Sequence, residues 1–148
     1  MNAPRDWSDP NVAEHILRSY RAWAIVGCSS HPWRASHGVS RYLLSQGYEI
    51  VPINPNERLV HGRLAYPDLA SVPTEQGSSI EVVDIFRRSE LVMPHVEEAI
   101  SIGARAVWMQ LEVWNEAAAR LAADAGLDVV MNRCPAIDHP AMIGAGGA

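Results

Sequence analysis

The stretch Ala24–Gly47, AIVGCSSHPWRASHGVSRYLLSQG, gathers side chains suited to holding an anion. Gly27 closes an apolar run, Cys28, Ser29 and Ser30 follow it, and Arg34 and Ser36 precede the next periodic segment. Hydroxyls, backbone N–H groups and a guanidinium beside a helix start are the donors from which a phosphate accepts hydrogen bonds. The glycine spacing is not the G-x-G-x-x-G of a dinucleotide turn, because the next glycine after Gly27 is Gly38. A phosphate here would be held by hydroxyls and an arginine in place of a glycine-only turn. Taken by itself, the stretch fits a serine-rich loop capped by Ser36 equally well.

Two further stretches bear on the same chemistry. In VPINPNER, Asn54 stands between Pro52 and Pro55, and no carboxylate occupies the strand tip; Glu57 lies past the turn. An NAD-binding unit places Asp or Glu at that tip to bind the ribose diol. A proline-stiffened wall with one amide suits a base or a modified ribose better, the alternative being a Pro-Asn turn with no ligand. In DIFRRSE, Phe86 leaves an apolar run and is followed by Arg87 and Arg88. That set can stack on a ring and pair a phosphate, or Phe86 can be core while the arginines pair with Glu81 or Glu90. At one sheet edge, the three stretches together point to a nucleotide-like anion.

Other chemistry finds less support. His15, His31, His37, His61, His95 and His139 are scattered, with no i, i+4 pair to hold a metal. Cys28–His37 and Cys134–His139 pairs can be drawn, but neither has an evident third orienting residue. Cys28 would be reactive only if Arg34 and the helix start lowered its pKa; a small residue filling the strand–loop junction is the stronger reading. Glu81 and Asp84 lie in or before a buried strand and make no acid–base pair. No catalytic constellation and no metal site is read.

The elements that must position these residues follow from periodicity. Asn11–Tyr20 has helical spacing, with Asp9 as cap and Pro10 at the first position, and reads as an N-terminal docking helix over residues 1–20. WAIVG, YEIVPI, EVVDIF, AVWMQ and LDVVMN read as strands. Helices are expected from Ser36, with Val39, Leu43 and Gln46 along one side, around MPHVEEAISIG, and over NEAAARLAADAG. A short extra strand is expected near Arg63–Tyr66. Residues 135–148 read as a C-terminal tail, a packed segment followed by a flexible Gly/Ala end. Strands alternating with helices give an α/β fold: a Rossmann-like, doubly wound, mainly parallel sheet with helices on both faces, in three layers. One domain, residues 21–134, carries the sheet.

With 148 residues, 48% hydrophobic and 20% charged, the chain can bury a substantial core. The net charge of −5 argues against a nucleic-acid partner, so an anion must be met by a local basic site. Two cysteines make no disulfide framework. No apolar run approaches the ~20 residues of a membrane span, and MNAPRDWSDP has no signal-peptide pattern, so a cytoplasmic protein is expected.

The set VGCSSHPWRASHGVSRYL, GYEIVPINPN, VVDIFRRSE, AVWMQ and GLDVVMNRC resembles the stand-alone CoA-binding domain proteins of bacteria. These are similar in turn to the CoA-binding domain of the succinyl-CoA synthetase alpha subunit. The resemblance covers about Arg21 to Cys134. It implies a Rossmann-like domain that binds coenzyme A at the carboxyl edge of the sheet. With no catalytic constellation read, non-catalytic binding of coenzyme A or an acyl-CoA is the expected function. Gly27, Cys28, Ser29, Ser30, Arg34 and Ser36 would form the phosphate-side loop, Asn54 and Pro55 would lie along the nucleotide, and Phe86 and Arg87 would flank it. The ribose 3′-phosphate of CoA accounts for the missing acid at Asn54. Two departures are Glu112 in WMQLEV, where the family usually has glycine, and Asn132 where many members have Asp. Glu112 is expected to weaken phosphate binding if it reaches the ligand, and Trp33 to shield or stack on it. The alternatives are an NAD(P)- or nucleotide-linked enzyme on the same fold and an interaction module that has lost its ligand. A homodimer or a partner protein stays open.

Overall fold

The computed structural model describes residues 5–77 and 79–144. The expected Gly/Ala end, residues 145–148, and the first four residues of the docking segment lie outside the described residues.

Helix α1 (Pro10–Ser19) begins where Asp9 accepts a hydrogen bond from the Asn11 amide, with Pro10 as its first residue. Ala13, Ile16 and Leu17 form its buried side. Strand β1 (Ala22–Val26) is followed by α2 (Ala35–Ser45) and β2 (Glu49–Ile53). A hairpin of β3 (Leu59–Val60) and β4 (Arg63–Leu64) and a single turn, α3 (Thr74–Gly77), lead to β5 (Val82–Ile85). The chain continues through α4 (Met93–Ser101), β6 (Ala106–Met109), α5 (Glu116–Asp124), β7 (Asp128–Val130) and α6 (Pro135–Met142).

The five longer-sheet strands are parallel and ordered β2-β1-β5-β6-β7. Side chains alternate across this sheet, so two cores form. Ala24, Val26, Val83, Ile85 and Val107 face α4 and α5. Trp23, Ile25, Val82 and Trp108 face α1, α2 and the Cys134 region leading into α6. This is the expected doubly wound, three-layered α/β fold.

The extra strand departs from expectation. Arg63 and Leu64 pair with Leu59 and Val60 in their own hairpin, and Tyr66 meets the main sheet through one parallel bridge to Ile53. Pro52 in β2 has no N–H to offer along a full ladder, and the contact there is Tyr66 N–H donating to the Pro52 carbonyl at 3.0 Å. Ser36 is also not the cap of α2: Arg34 occupies that position, without a side-chain cap. Gln46, expected on the apolar side, is the C-terminal cap.

Val26 is in register with Ile53 on one side and Ile85 on the other. The residues that follow, Gly27, Asn54 and Phe86, therefore emerge side by side at the carboxyl edge. Strand order reverses between β1 and β5, the place where a parallel sheet opens a crevice for ligands.

Candidate functional site

Gly27 is dictated by geometry at this crevice. Its φ is +83°, and a Cβ there would stand 2.5 Å from the Phe86 carbonyl oxygen. The Phe86 amide donates to the Val26 carbonyl (2.9 Å) and the Gly27 amide to the Ile53 carbonyl (2.8 Å), so three strand ends are joined at their tips. Only glycine admits that close approach.

An open cleft of about 680 Å³ lies over these tips. Gly27, Ser29 and Arg34 line it from β1, Asn54 and Pro55 from β2, and Phe86 and Arg87 from β5. The three stretches singled out in the sequence thus converge on one cavity. Among the described residues, the guanidinium groups of Arg34 and Arg87 pair with no carboxylate, whereas Arg88 pairs with Glu90 at 3.5 Å. Two uncommitted cations therefore line one cleft in a chain of net charge −5.

Four of the ten expected site residues stand behind the surface or are spoken for. Ser36 is buried; its hydroxyl accepts from the Ser29 amide and donates to the Gly27 carbonyl, each at 3.0 Å, so it braces the loop. The Ser30 amide and hydroxyl both donate to Glu57, at 2.6 and 2.8 Å. Cys28 is fully buried, with its thiol donating to Ser40 Oγ at 3.6 Å. Burial above all, with the nearby Glu57 charge, pushes that thiol up to about 11, against Ser40, which opposes them. A thiol so protonated is a poor nucleophile at neutral pH, and Arg34 does not lower it as a reactive cysteine would require. The Asn54 amide is likewise engaged: Nδ2 donates to the Cys28 carbonyl (3.0 Å) and Oδ1 accepts from Asn56 N–H (2.9 Å).

Sequence reasoning passed over His31, His95 and Glu57, all of which line the cleft. His95 lies in the first turn of α4, and burial together with Arg87 lowers its pKa. Pro94 at the start of a helix that follows β5 was the signal available for it. Glu57, expected past the turn, is folded back toward the β1 loop by the Asn54 turn. The Ser30 amide above all holds its carboxyl below the usual range, with help from the Ser30 hydroxyl and His31. Trp33 is 75% exposed and stacks on His31 with ring centroids 4.5 Å apart, at the rim and outside the lining. Glu112 does not line the cleft either. It sits past the end of β6 at φ +68°, its amide donating to Asn132 Oδ1 at 2.7 Å. That backbone geometry is the reason a glycine suits the position.

Residues 21–140 match the family model described as the CoA binding domain. The chain belongs to that family. As a member of the CoA-binding-domain family, it is 34% identical over 133 residues to the uncharacterized protein YneT of Bacillus subtilis strain 168, covering 88% of this chain and 96% of that one. A hypothetical protein from Pyrococcus horikoshii OT3 superposes with TM-score 0.85 at 38% identity, over 97% of this chain and 100% of the other. The fold also recurs in a dinucleotide-forming acetyl-coenzyme A synthetase from Ca. Korarchaeum cryptofilum (TM-score 0.65, 24% identity), over 77% of this chain and 26% of that larger one. Among the described residues no helix is long and apolar enough to cross a membrane.

Proposed function

We propose that this member of the family binds coenzyme A or an acyl-CoA in the cleft between the ends of β1, β2 and β5, as a binding protein that performs no reaction there. The observation that carries this reading is the pair of uncommitted guanidinium groups, Arg34 and Arg87, beside the Phe86 ring in one open crevice. Phosphates pair with the arginines, while Phe86 and Pro55 give flat surfaces against which a ring or the pantetheine chain packs. The β2 tip carries Asn54, spent on the Cys28 carbonyl, and the carboxylate that lines the cleft, Glu57, is taken up by the Ser30 amide and hydroxyl, so neither stands free for a ribose diol as an NAD site would need. The buried, protonated Cys28 supplies no nucleophile beside the ligand. A cytoplasmic location accords with this reading.

Thermal unfolding with added ligands tests it. CoA is expected to raise the melting temperature, dephospho-CoA to raise it less, and Arg34→Ala to weaken CoA binding about tenfold while leaving the ligand-free melting temperature within 1–2 °C. Stabilisation by NAD with none by CoA would overturn the reading in favour of a dinucleotide-linked enzyme.

A further inference from the structure

Glu57 is the acidic side chain lining a cleft otherwise supplied with cations, and it sits on loop donors an anionic ligand would seek. Its Oε2 accepts from the Ser30 amide at 2.6 Å and its Oε1 from the Ser30 hydroxyl at 2.8 Å. The turn after β2 brings it there: the Asn54 side chain holds the Cys28 carbonyl and the Asn56 amide, and the Glu57 amide donates to the Asn54 carbonyl at 3.3 Å. A backbone N–H and a hydroxyl converging on two oxygens of one anion form a seat that a phosphate fits as well as a carboxylate. Ser29, His31 and Arg34, on the same loop, line the same cleft.

We propose that Glu57 is an intramolecular competitor for the phosphate seat of the cleft, occupying the Ser30 donors in the free protein and giving them up to a ligand phosphate. The inference rests on reading the cleft as a seat for a phosphate-bearing nucleotide. Two anions cannot share these donors at contact distance, so binding exchanges one for the other. The exchange favours a multiply charged phosphate, which brings more charge to Arg34 than the carboxylate it displaces. A neutral nucleoside or a lone carboxylate gains nothing by it. Glu57 thereby sets both the affinity and the selectivity of the site for dense negative charge.

Calorimetric titration of the wild-type protein, Glu57→Gln and Glu57→Ala tests this, with inorganic pyrophosphate as the charged probe, adenosine as the neutral one, and CoA in parallel. Removing the carboxylate charge is expected to tighten pyrophosphate binding about tenfold in Glu57→Gln and to leave adenosine unchanged. The near-isosteric glutamine keeps the turn in place should alanine loosen it, and melting curves of both variants report whether it does. Pyrophosphate binding that is absent, equal or weaker in Glu57→Gln overturns the inference, as does equal tightening for adenosine. CoA that binds wild type and Glu57→Gln equally well leaves the proposed function standing and removes the competitor role. CoA that binds neither removes that function and leaves the competitor role to the pyrophosphate result.

Discussion

At Gly27 the chain needs both a positive φ and the absence of a Cβ, because the Phe86 carbonyl oxygen closes the space. The same backbone region is imposed on Glu112, at φ +68°, with no gain to set against it: the side chain is exposed and only its amide bonds to Asn132. An L-residue with a Cβ in that region is strained by about 1–2 kcal/mol, partly offset by the extra freedom glycine has when unfolded. Glu112→Gly is therefore expected to stabilise the protein by about 0.5–1 kcal/mol, read as a higher urea midpoint at unchanged slope. Since Glu112 lies outside the cleft, the same variant should bind ligand as the parent does. At this scale the sequence marks Gly27 clearly, because a glycine closing a strand in a parallel sheet has few other uses. It marks Glu57 poorly, since the turn that folds it back depends on side-chain bonds of Asn54.

The elements were legible where one local signal decides them. Asp9 and Pro10 start α1, Asn115 caps α5 by accepting from the Ala118 amide at 3.0 Å, and continuous apolar runs give the five parallel strands. They were less legible where tertiary bonds decide. Ser36 looks like a cap by residue type, yet its hydroxyl is drawn to Gly27 and Ser29 across the loop. The segment after Cys134, expected to pack, does so as a helix the sequence does not announce: Pro135–Met142 is helical and packs against α1 and α2. What holds it is Arg133, whose Nε and Nη2 reach the two oxygens of the largely buried Asp138 at 2.7 and 3.0 Å and whose Nη1 donates to the Ser8 carbonyl at 2.9 Å. That fork ties the start of α6 to the chain just before α1. Removing one partner of such a pair leaves a charge with poor access to water, so Arg133→Ala is expected to lower stability by about 3 kcal/mol in chemical denaturation. The cleft, formed at the ends of β1, β2 and β5, should keep its ligand affinity in the folded fraction.

Across the whole molecule, one group sets the two halves of the design against each other. The strand β5 that delivers Phe86 and Arg87 to the cleft also carries Asp84 through the middle of the sheet. Asp84 is level with Ile25 and Trp108 and therefore lies on their side, in the core against α1 and α2. It is fully buried, and among the described residues neither carboxyl oxygen has a hydrogen-bond partner by strict geometry. Burial raises its pKa well above the usual carboxylate value, and the nearby Ile85 amide opposes this less. A charged Asp84 would lack a counter-ion among the described residues of this core, so burial favours its protonated form in the folded protein. The sign follows from linkage. Below the unfolded-state value of about 3.9 both states carry the proton and the full stability is present; as pH rises, the unfolded chain loses the proton first and stability falls. Half-buried His95 and buried His139, with pKa values lowered chiefly by burial, act the other way, costing stability as pH drops below about 6.5. Asp84→Asn removes the first dependence and leaves the second. The stability of Asp84→Asn relative to wild type is accordingly expected to rise between pH 4 and pH 8, measured by urea unfolding at each pH. A difference that stays flat over that range would mean that the folded protein carries Asp84 ionised, with a cation or an internal water path compensating it inside the sheet.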